Sequence, residues 1–314
     1  MVYVSYKAKA PGSLMLFGEH AVLHNKPALV VAINHYVKTK LIPNQDQKDE
    51  AIKIISQNFG SYTTTISKFK ITKPYEYVLT AISQHLTKIK RGFTLIIEAD
   101  FPSNIGFGSS AAVTVVTLGV LYKWLQIDLN LLKIYKDGVR VVRLVQKYGS
   151  GADIAASIFG GIIAYKLRPL NITKLKQTLP LVAVYSGNKI PTSQVVVQVE
   201  NRHKRFLIIF KQLHSAIECC SKSANYAIKR SNILLLGEIM NIHQGLHDAL
   251  GVNNLTLAKI VFALRKEPGI YGAKISGAGL GDCVIGLGKI SNKKTKKIFG
   301  KSIIDIKVSR DGLV

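Results

Sequence analysis

Cysteine is scarce in this 314-residue chain, and the three present, Cys219, Cys220 and Cys283, form neither a metal-ligand spacing nor a disulfide framework. A reducing, cytoplasmic setting is therefore expected. Acidic residues are few as well: 18 Asp plus Glu stand against 43 Lys plus Arg, a formal net charge of +25. Also missing is any uninterrupted apolar run near the ~20 residues needed to cross a bilayer. The opening Met1-Val2-Tyr3-Val4-Ser5-Tyr6-Lys7 lacks the apolar centre of a signal peptide, so no membrane role is expected. The chain has no internal repeat and no low-complexity segment.

The basic excess attracts polyanions in general. Its residues are nevertheless dispersed, in pieces such as Lys88-Ile89-Lys90-Arg91 and Lys293-Lys294-Thr295-Lys296-Lys297, with no aromatics alternating as a stacking platform. This pattern argues against a specific nucleic-acid partner and for anionic small molecules. Apolar residues make up 47% and charged residues 19%, a balance that folds throughout and excludes disorder.

Alternation of Val4, Tyr6, Ala8 and Ala10 against Ser5, Lys7 and Lys9 predicts a half-exposed strand over 2–10, with a turn at Pro11-Gly12. Further strands are expected at 14–17, 28–33, 36–41, 93–98, 161–167 and 181–185. Helical spacing marks 74–87, 110–125, 131–147, 195–227 and 234–250, and 272–288 reads as strand, glycine turn, strand. The periodicity breaks at 168–180, where Pro169-Leu170-Asn171 and Lys174-Leu175-Lys176 suggest a boundary between two α+β domains.

Four local features carry chemistry. In Pro102-Ser103-Asn104-Ile105-Gly106-Phe107-Gly108-Ser109-Ser110-Ala111-Ala112, glycines permit a tight turn and hydroxyls stand where a helix begins. The segment is a phosphate cradle or simply a loop with an N-cap serine. No Gly-Lys-Ser/Thr closes it, so it is not a Walker A loop, and its glycine spacing is not the Rossmann fingerprint. Ser276-Gly277-Ala278-Gly279-Leu280-Gly281-Asp282-Cys283 is a second glycine turn, against a ligand or a bulged hairpin. Asp153, after Gly149-Ser150-Gly151-Ala152, is a helix-terminal charge or a positioned base. Glu19 and His20 in Gly18-Glu19-His20-Ala21-Val22-Leu23 would need partners if buried.

Taken in order, these features resemble the GHMP kinases over nearly the whole chain. Residues 10–23 are similar to that family's first motif in its mevalonate kinase form, Gly106–Ala112 to the second and Lys274–Cys283 to the third. Ser150-Gly151-Ala152-Asp153 resembles the loop with the family's catalytic aspartate. The resemblance implies a two-domain α+β GHMP kinase fold: a ribosomal protein S5 domain 2-like unit over 1–170 and a ferredoxin-like unit over 171–314. It also implies transfer of the γ-phosphoryl group of ATP, with Mg²⁺, to a mevalonate-pathway acceptor, by a monomer or homodimer. The implied roles are Asp153 as catalytic group; Gly106, Gly108, Ser109, Ser110, Ala111, Gly277, Ala278 and Gly279 at the nucleotide; Glu19, His20 and Thr192 at the substrate; and Ser110 with Glu19 at the metal.

Two departures from the family pattern stand out. Ser13 replaces the lysine of Ala-Pro-Gly-Lys, leaving Lys7 or Lys9 as the candidate cations to reach in from the strand, and the helix before Asp153 lacks the glutamate that serves as a second Mg²⁺ ligand. Phe17–Val22, Met240-Asn241-Ile242-His243-Gln244-Gly245-Leu246 and Leu250-Gly251-Val252 look like mevalonate kinases, whereas Gln146–Asp153 and Gly281-Asp282-Cys283 look more like phosphomevalonate kinases. Mevalonate is the favoured acceptor. Phosphomevalonate, a decarboxylase-type reaction and a non-catalytic nucleotide binder are the alternatives.

Overall fold

The structure, a computed structural model, describes residues 4–291 and 299–314, so the Lys293–Lys297 run lies outside the described residues. In chain order the strands are β1 Tyr6–Phe17, β2 Ala28–Pro43, β3 Ala51–Ser56, β4 Gly60–Thr65, β5 Phe93–Ala99, β6 Ile162–Lys166, β7 Asn171–Leu175, β8 Leu181–Tyr185, β9 Ile270–Ser276, β10 Cys283–Gly288 and β11 Ile303–Ile306. The helices are α1 Glu76–Ser83, α2 Ser109–Trp124, α3 Leu131–Gln146, α4 Ala152–Phe159, α5 Thr192–Arg205, α6 Leu207–Lys229, α7 Ile233–Leu250 and α8 Leu255–Arg265. No described helix is long and apolar enough to cross a membrane.

Strands β1–β7 form the larger sheet, in the order β4-β3-β5-β2-β6-β7 with β1 also on β2. Long β2 is its spine, pairing antiparallel with β1, β5 and β6. The turn expected at Pro11-Gly12 is instead a register shift inside a continuous β1. Proline has no N–H to give the ladder, and the shift lets the backbone of Ser13 donate to Phe107 O at 3.0 Å. Buried on nearly every side, α2 lies across β1 and β2 and contributes residues from Ala111 to Tyr122 to the core.

The smaller sheet runs β11-β8-β10-β9, all antiparallel. Alternation along β8 divides two cores: Val182 and Val184 face α8, while Leu181 and Ala183 join the large core shared with the first sheet. The edge strand β9 is covered by α7, whose Asn241 and Gln244 side chains accept from Ala273 N at 3.1 Å and Ile275 N at 2.8 Å. The helix expected over 195–227 is broken at Phe206 into α5 and α6.

Strand β7 pairs with β6, so the chain leaves the larger sheet between Leu175 and Leu181. The C-terminal residues return to it: Val308 bridges Ile33, and Val314 and Lys9 exchange backbone hydrogen bonds of 2.9 Å. The larger sheet therefore draws chain from both sides of residue 170.

Candidate active site

Helix α2 starts at Ser109 behind two left-handed glycines, Gly106 (φ +79°) and Gly108 (φ +64°). Each is also fixed by a neighbour from another part of the chain. A Cβ on Gly108 would lie 2.2 Å from Ser13 Oγ, and one on Gly106 would lie 2.7 Å from Asp282 Cβ. Ser109 Oγ donates back to Ser103 O at 3.1 Å and closes the loop, whereas Ala112 N is the first amide of the helix to find its partner, Gly108 O, at 3.0 Å. The amides of Ser109, Ser110 and Ala111 have no intrahelical acceptor, and with the helix dipole they form an anion site opening on a cleft.

Across that cleft is the turn between β9 and β10. Gly277 and Ala278 line the cleft, and Ser276 Oγ ties the turn to Met15 O at 2.9 Å. Cys283 Sγ, 2.9 Å from Ile105 O, fastens it to the α2 loop. Gly279 does something else: it is buried, and a Cβ there would meet Val252 O at 2.5 Å, so it packs on the segment after α7 and does not line the cleft.

Asp153 sits in the first turn of α4 on the cleft floor. The Ser150-Gly151 turn before it is held by Tyr165, whose hydroxyl donates to Ser150 O. Ser13 Oγ donates to Asp153 Oδ1 at 2.8 Å, so the position where the family pattern has lysine holds a neutral donor. Burial pushes the Asp153 carboxyl up from its ordinary range, and the Ser13 hydrogen bond opposes the rise. Lys9 does not reach this site. Its ammonium lies 3.6 Å from the centre of the Tyr36 ring, and neither it nor Lys7 lines the cleft.

A second carboxylate faces the same space. Asp282 is 7% exposed, lines the cleft between Gly106 and Gly277, and its Oδ1 has no hydrogen-bond partner. Burial pushes its carboxyl up to about 6, with Lys189 pulling down and Asp153 pushing up. Lys189 is the cation at the cleft mouth, donating to Ser103 O at 2.9 Å.

Glu19 and His20 are buried, and each has a partner for one of its polar atoms, while Glu19 Oε2 has no hydrogen bond. Nε2 of His20 donates to Ala278 O at 2.8 Å, bracing the third motif. Glu19 Oε1 accepts from Nζ of the fully buried Lys274, and His243 Nδ1 and His247 Nε2 lie 3.8 and 3.7 Å from Glu19 Oε2. Burial pushes Glu19 up and Lys274 down, each opposed by the other's charge.

The expected residues Glu19, His20, Gly106, Gly108, Ser109, Ser110, Ala111, Asp153, Thr192, Gly277 and Ala278 all line this one cleft. Sequence reasoning missed Ser13 as a partner of Asp153, Asp282 as a buried acid and Lys189 as the nearby cation. An acid inside a glycine turn was the one available signal for Asp282. It also missed an adjoining cavity of about 240 Å³ that shares Ser109, Ser110 and Lys189 with the cleft and is walled by Phe59, Tyr75, Tyr77 and Phe101.

Known proteins are similar to this chain in sequence and in fold. The family description GHMP kinases N terminal domain matches residues 74–161, and GHMP kinases C terminal matches residues 224–297. The mevalonate kinase of Pyrococcus abyssi is 34% identical over 324 residues, covering 98% of this chain and 96% of its own. L. major mevalonate kinase, solved in complex with R-mevalonate, is similar with a TM-score of 0.79 at 24% identity, over 98% of this chain and 96% of that one. Streptococcus pneumoniae phosphomevalonate kinase, in complex with phosphomevalonate and AMPPNP, gives a TM-score of 0.76 at 18% identity, over 97% and 98% of the two chains. At these identities the structural likeness establishes the fold alone.

Proposed function

We propose, from the premise that this chain belongs to the GHMP kinase family and is a relative of its mevalonate kinases, that it transfers the γ-phosphoryl group of ATP to the hydroxyl of mevalonate. The observation that carries this reading is the convergence of the α2 amides, the Gly277-Ala278 turn and the Asp153 carboxylate on one cleft. Phosphoryl transfer asks a protein for in-line positioning, neutralisation of charge and a place for the acceptor's proton.

The chain's residues divide among these tasks. The backbone at Gly106, Gly108, Ser109, Ser110 and Ala111, with Gly277 and Ala278 opposite, holds the phosphates. The aromatic-walled cavity beside Ser103 suits the nucleoside. Asp153 orients the acceptor hydroxyl and takes its proton, and Ser13 holds Asp153 in place. Thr192 at the exposed mouth and Lys189 face the polar end of the acceptor, while His20 and Glu19 form the wall behind.

Phosphoryl transfer from ATP would draw on a bound Mg²⁺ for positive charge against the phosphates. The oxygen donors present fit it: the Ser110 hydroxyl, and the Asp282 carboxylate with its unpartnered buried oxygen. A divalent cation would also relieve the repulsion between Asp282 and Asp153. Glu19, expected at the metal, has Oε1 bound to Lys274 and Oε2 turned toward His243 and His247, so we assign the metal side to Ser110 and Asp282 and leave Glu19 in the wall.

Release of ADP with MgATP and either mevalonate or phosphomevalonate tests the acceptor. Turnover on mevalonate, abolished in Asp153→Ala with nucleotide affinity kept, is the expected result. Turnover on phosphomevalonate alone would overturn the reading.

A further inference from the structure

Outside the cleft, three imidazoles from three separate elements meet. His24 ends the short helical turn Ala21–His24 after the first motif, His203 lies on α5 and His214 on α6. One ring nitrogen of each lies within 4.8 Å of the other two. His24 stacks on His214 with ring centres 4.2 Å apart, and His203 approaches both edge-on at 4.7 and 5.2 Å. Nε2 of His203 and Nε2 of His214 are buried without a hydrogen-bond partner, and His214 is 3% exposed. Glu200 supplies one negative charge: its Oε1 accepts from His24 Nε2 at 2.8 Å, and its Oε2 lies 3.8 Å from His203 Nδ1. The nearby Lys26 is neutralised by Glu218 at 2.6 Å.

Stacking alone accounts for ring contact but leaves two buried ring nitrogens unsatisfied, which folded proteins rarely tolerate. We propose that His24, His203 and His214, with Glu200 beside them, bind a four-coordinate transition cation of the zinc class, pinning the first-motif turn to α5 and α6. Imidazole nitrogens suit Zn²⁺ or Co²⁺ and do not suit Mg²⁺, so the site is chemically separate from the phosphate-transfer centre. Zinc–nitrogen bonds of about 2.0–2.1 Å require the three nitrogens to draw in to about 3.3 Å of one another. His24 and His203 have side chains 26% and 15% exposed, and their open sides give them room to swing onto His214. His20, four residues before His24, braces the cleft, and α5 opens with Thr192 at its mouth, so an occupied site would tie two walls of the cleft together.

The test uses the full-length, tag-free, chelator-stripped protein, titrated with Co²⁺ and with Zn²⁺ in the presence of excess Mg²⁺. One equivalent per chain is expected, with the ligand-field bands of tetrahedral Co²⁺ and a raised thermal midpoint. His203→Ala should abolish the tetrahedral spectrum, and Glu200→Gln should weaken binding about 10- to 100-fold. Should His203→Ala fail to fold, His24→Gln provides the same reading from the exposed side. Absence of stoichiometric binding, or a Co²⁺ spectrum unchanged in both histidine variants, would overturn the proposal and leave the three rings as packing.

Discussion

Replacing Ser13 with alanine isolates the feature in which this cleft departs most from the family pattern. Ser13 is 1% exposed, and its hydroxyl donates to Asp153 Oδ1 at 2.8 Å. A hydrogen bond to the charged form of an acid lowers its pKa, so its loss lets burial push the Asp153 carboxyl higher still. Such a bond is worth about 1.5–3 kcal/mol. At about 1.36 kcal/mol per pH unit, the acid limb of kcat/KM should rise by about one to two units. The plateau at high pH should be nearly kept, because Asp153 ionises there regardless. Stability carries the same sign: the bond contributes while Asp153 is ionised and is lost as pH falls through the folded-state pKa. Ser13→Ala should therefore destabilise the protein in mild alkali and have little effect in acid. Profiles of kcat/KM against pH, with thermal midpoints at both ends of the range, measure both effects. An acid limb that stays put or moves to lower pH would refute the role given to Ser13.

Asp282→Asn should weaken metal–nucleotide binding by about tenfold or more, while metal-free nucleotide binds more tightly because a like charge has gone. Mn²⁺ resonance with a non-hydrolysable nucleotide separates the two, and a parallel change in both would count against Asp282 at the metal. Gly108→Ala places a methyl 2.2 Å from Ser13 Oγ on a left-handed backbone. It should cost about 2–4 kcal/mol in denaturant unfolding, and a loss below about 0.5 kcal/mol would show that the loop simply shifts. Lys274→Met leaves Glu19 buried without its cation and should cost about 3–5 kcal/mol. Adding Glu19→Gln should recover most of that, and equal, additive losses in the double-mutant cycle would mean that the pair is not coupled.

Where the hydrophobic period was strong, the fold was readable. Predicted and observed limits of α2 and α3 differ by one residue or less at each end, because α2 is apolar over its length and α3 has one apolar face. The β3–β4 hairpin escaped notice because β4, Gly60–Thr65, is an edge strand of small polar residues with no alternation to read. Helix α8 was missed between two glycine-containing turns, and the break at Phe206 was missed because apolar spacing continues across it. Tertiary packing decides such elements, and local pattern records it only faintly.

The candidate site divides along the same line. Glycine turns, a helix start and an acid after small residues are local, and each stood out in the sequence. What joins them is not local. Ser13 reaches Asp153 because Pro11 cannot donate to the ladder and the register of β1 slips beside it, carrying the backbone of Ser13 onto Phe107 O. Gly108 must then lack a side chain because Ser13 occupies the space, and Gly106 because Asp282 does. A missing lysine in the first motif, read in isolation, suggests a lost function. Read with its neighbours, it is a substitution in a three-way fit among β1, the α2 loop and the β9–β10 turn. Restoring lysine at Ser13 alone should therefore disturb the site, because it removes the hydroxyl that Asp153 accepts from and sends a long side chain past Gly108 into the cleft.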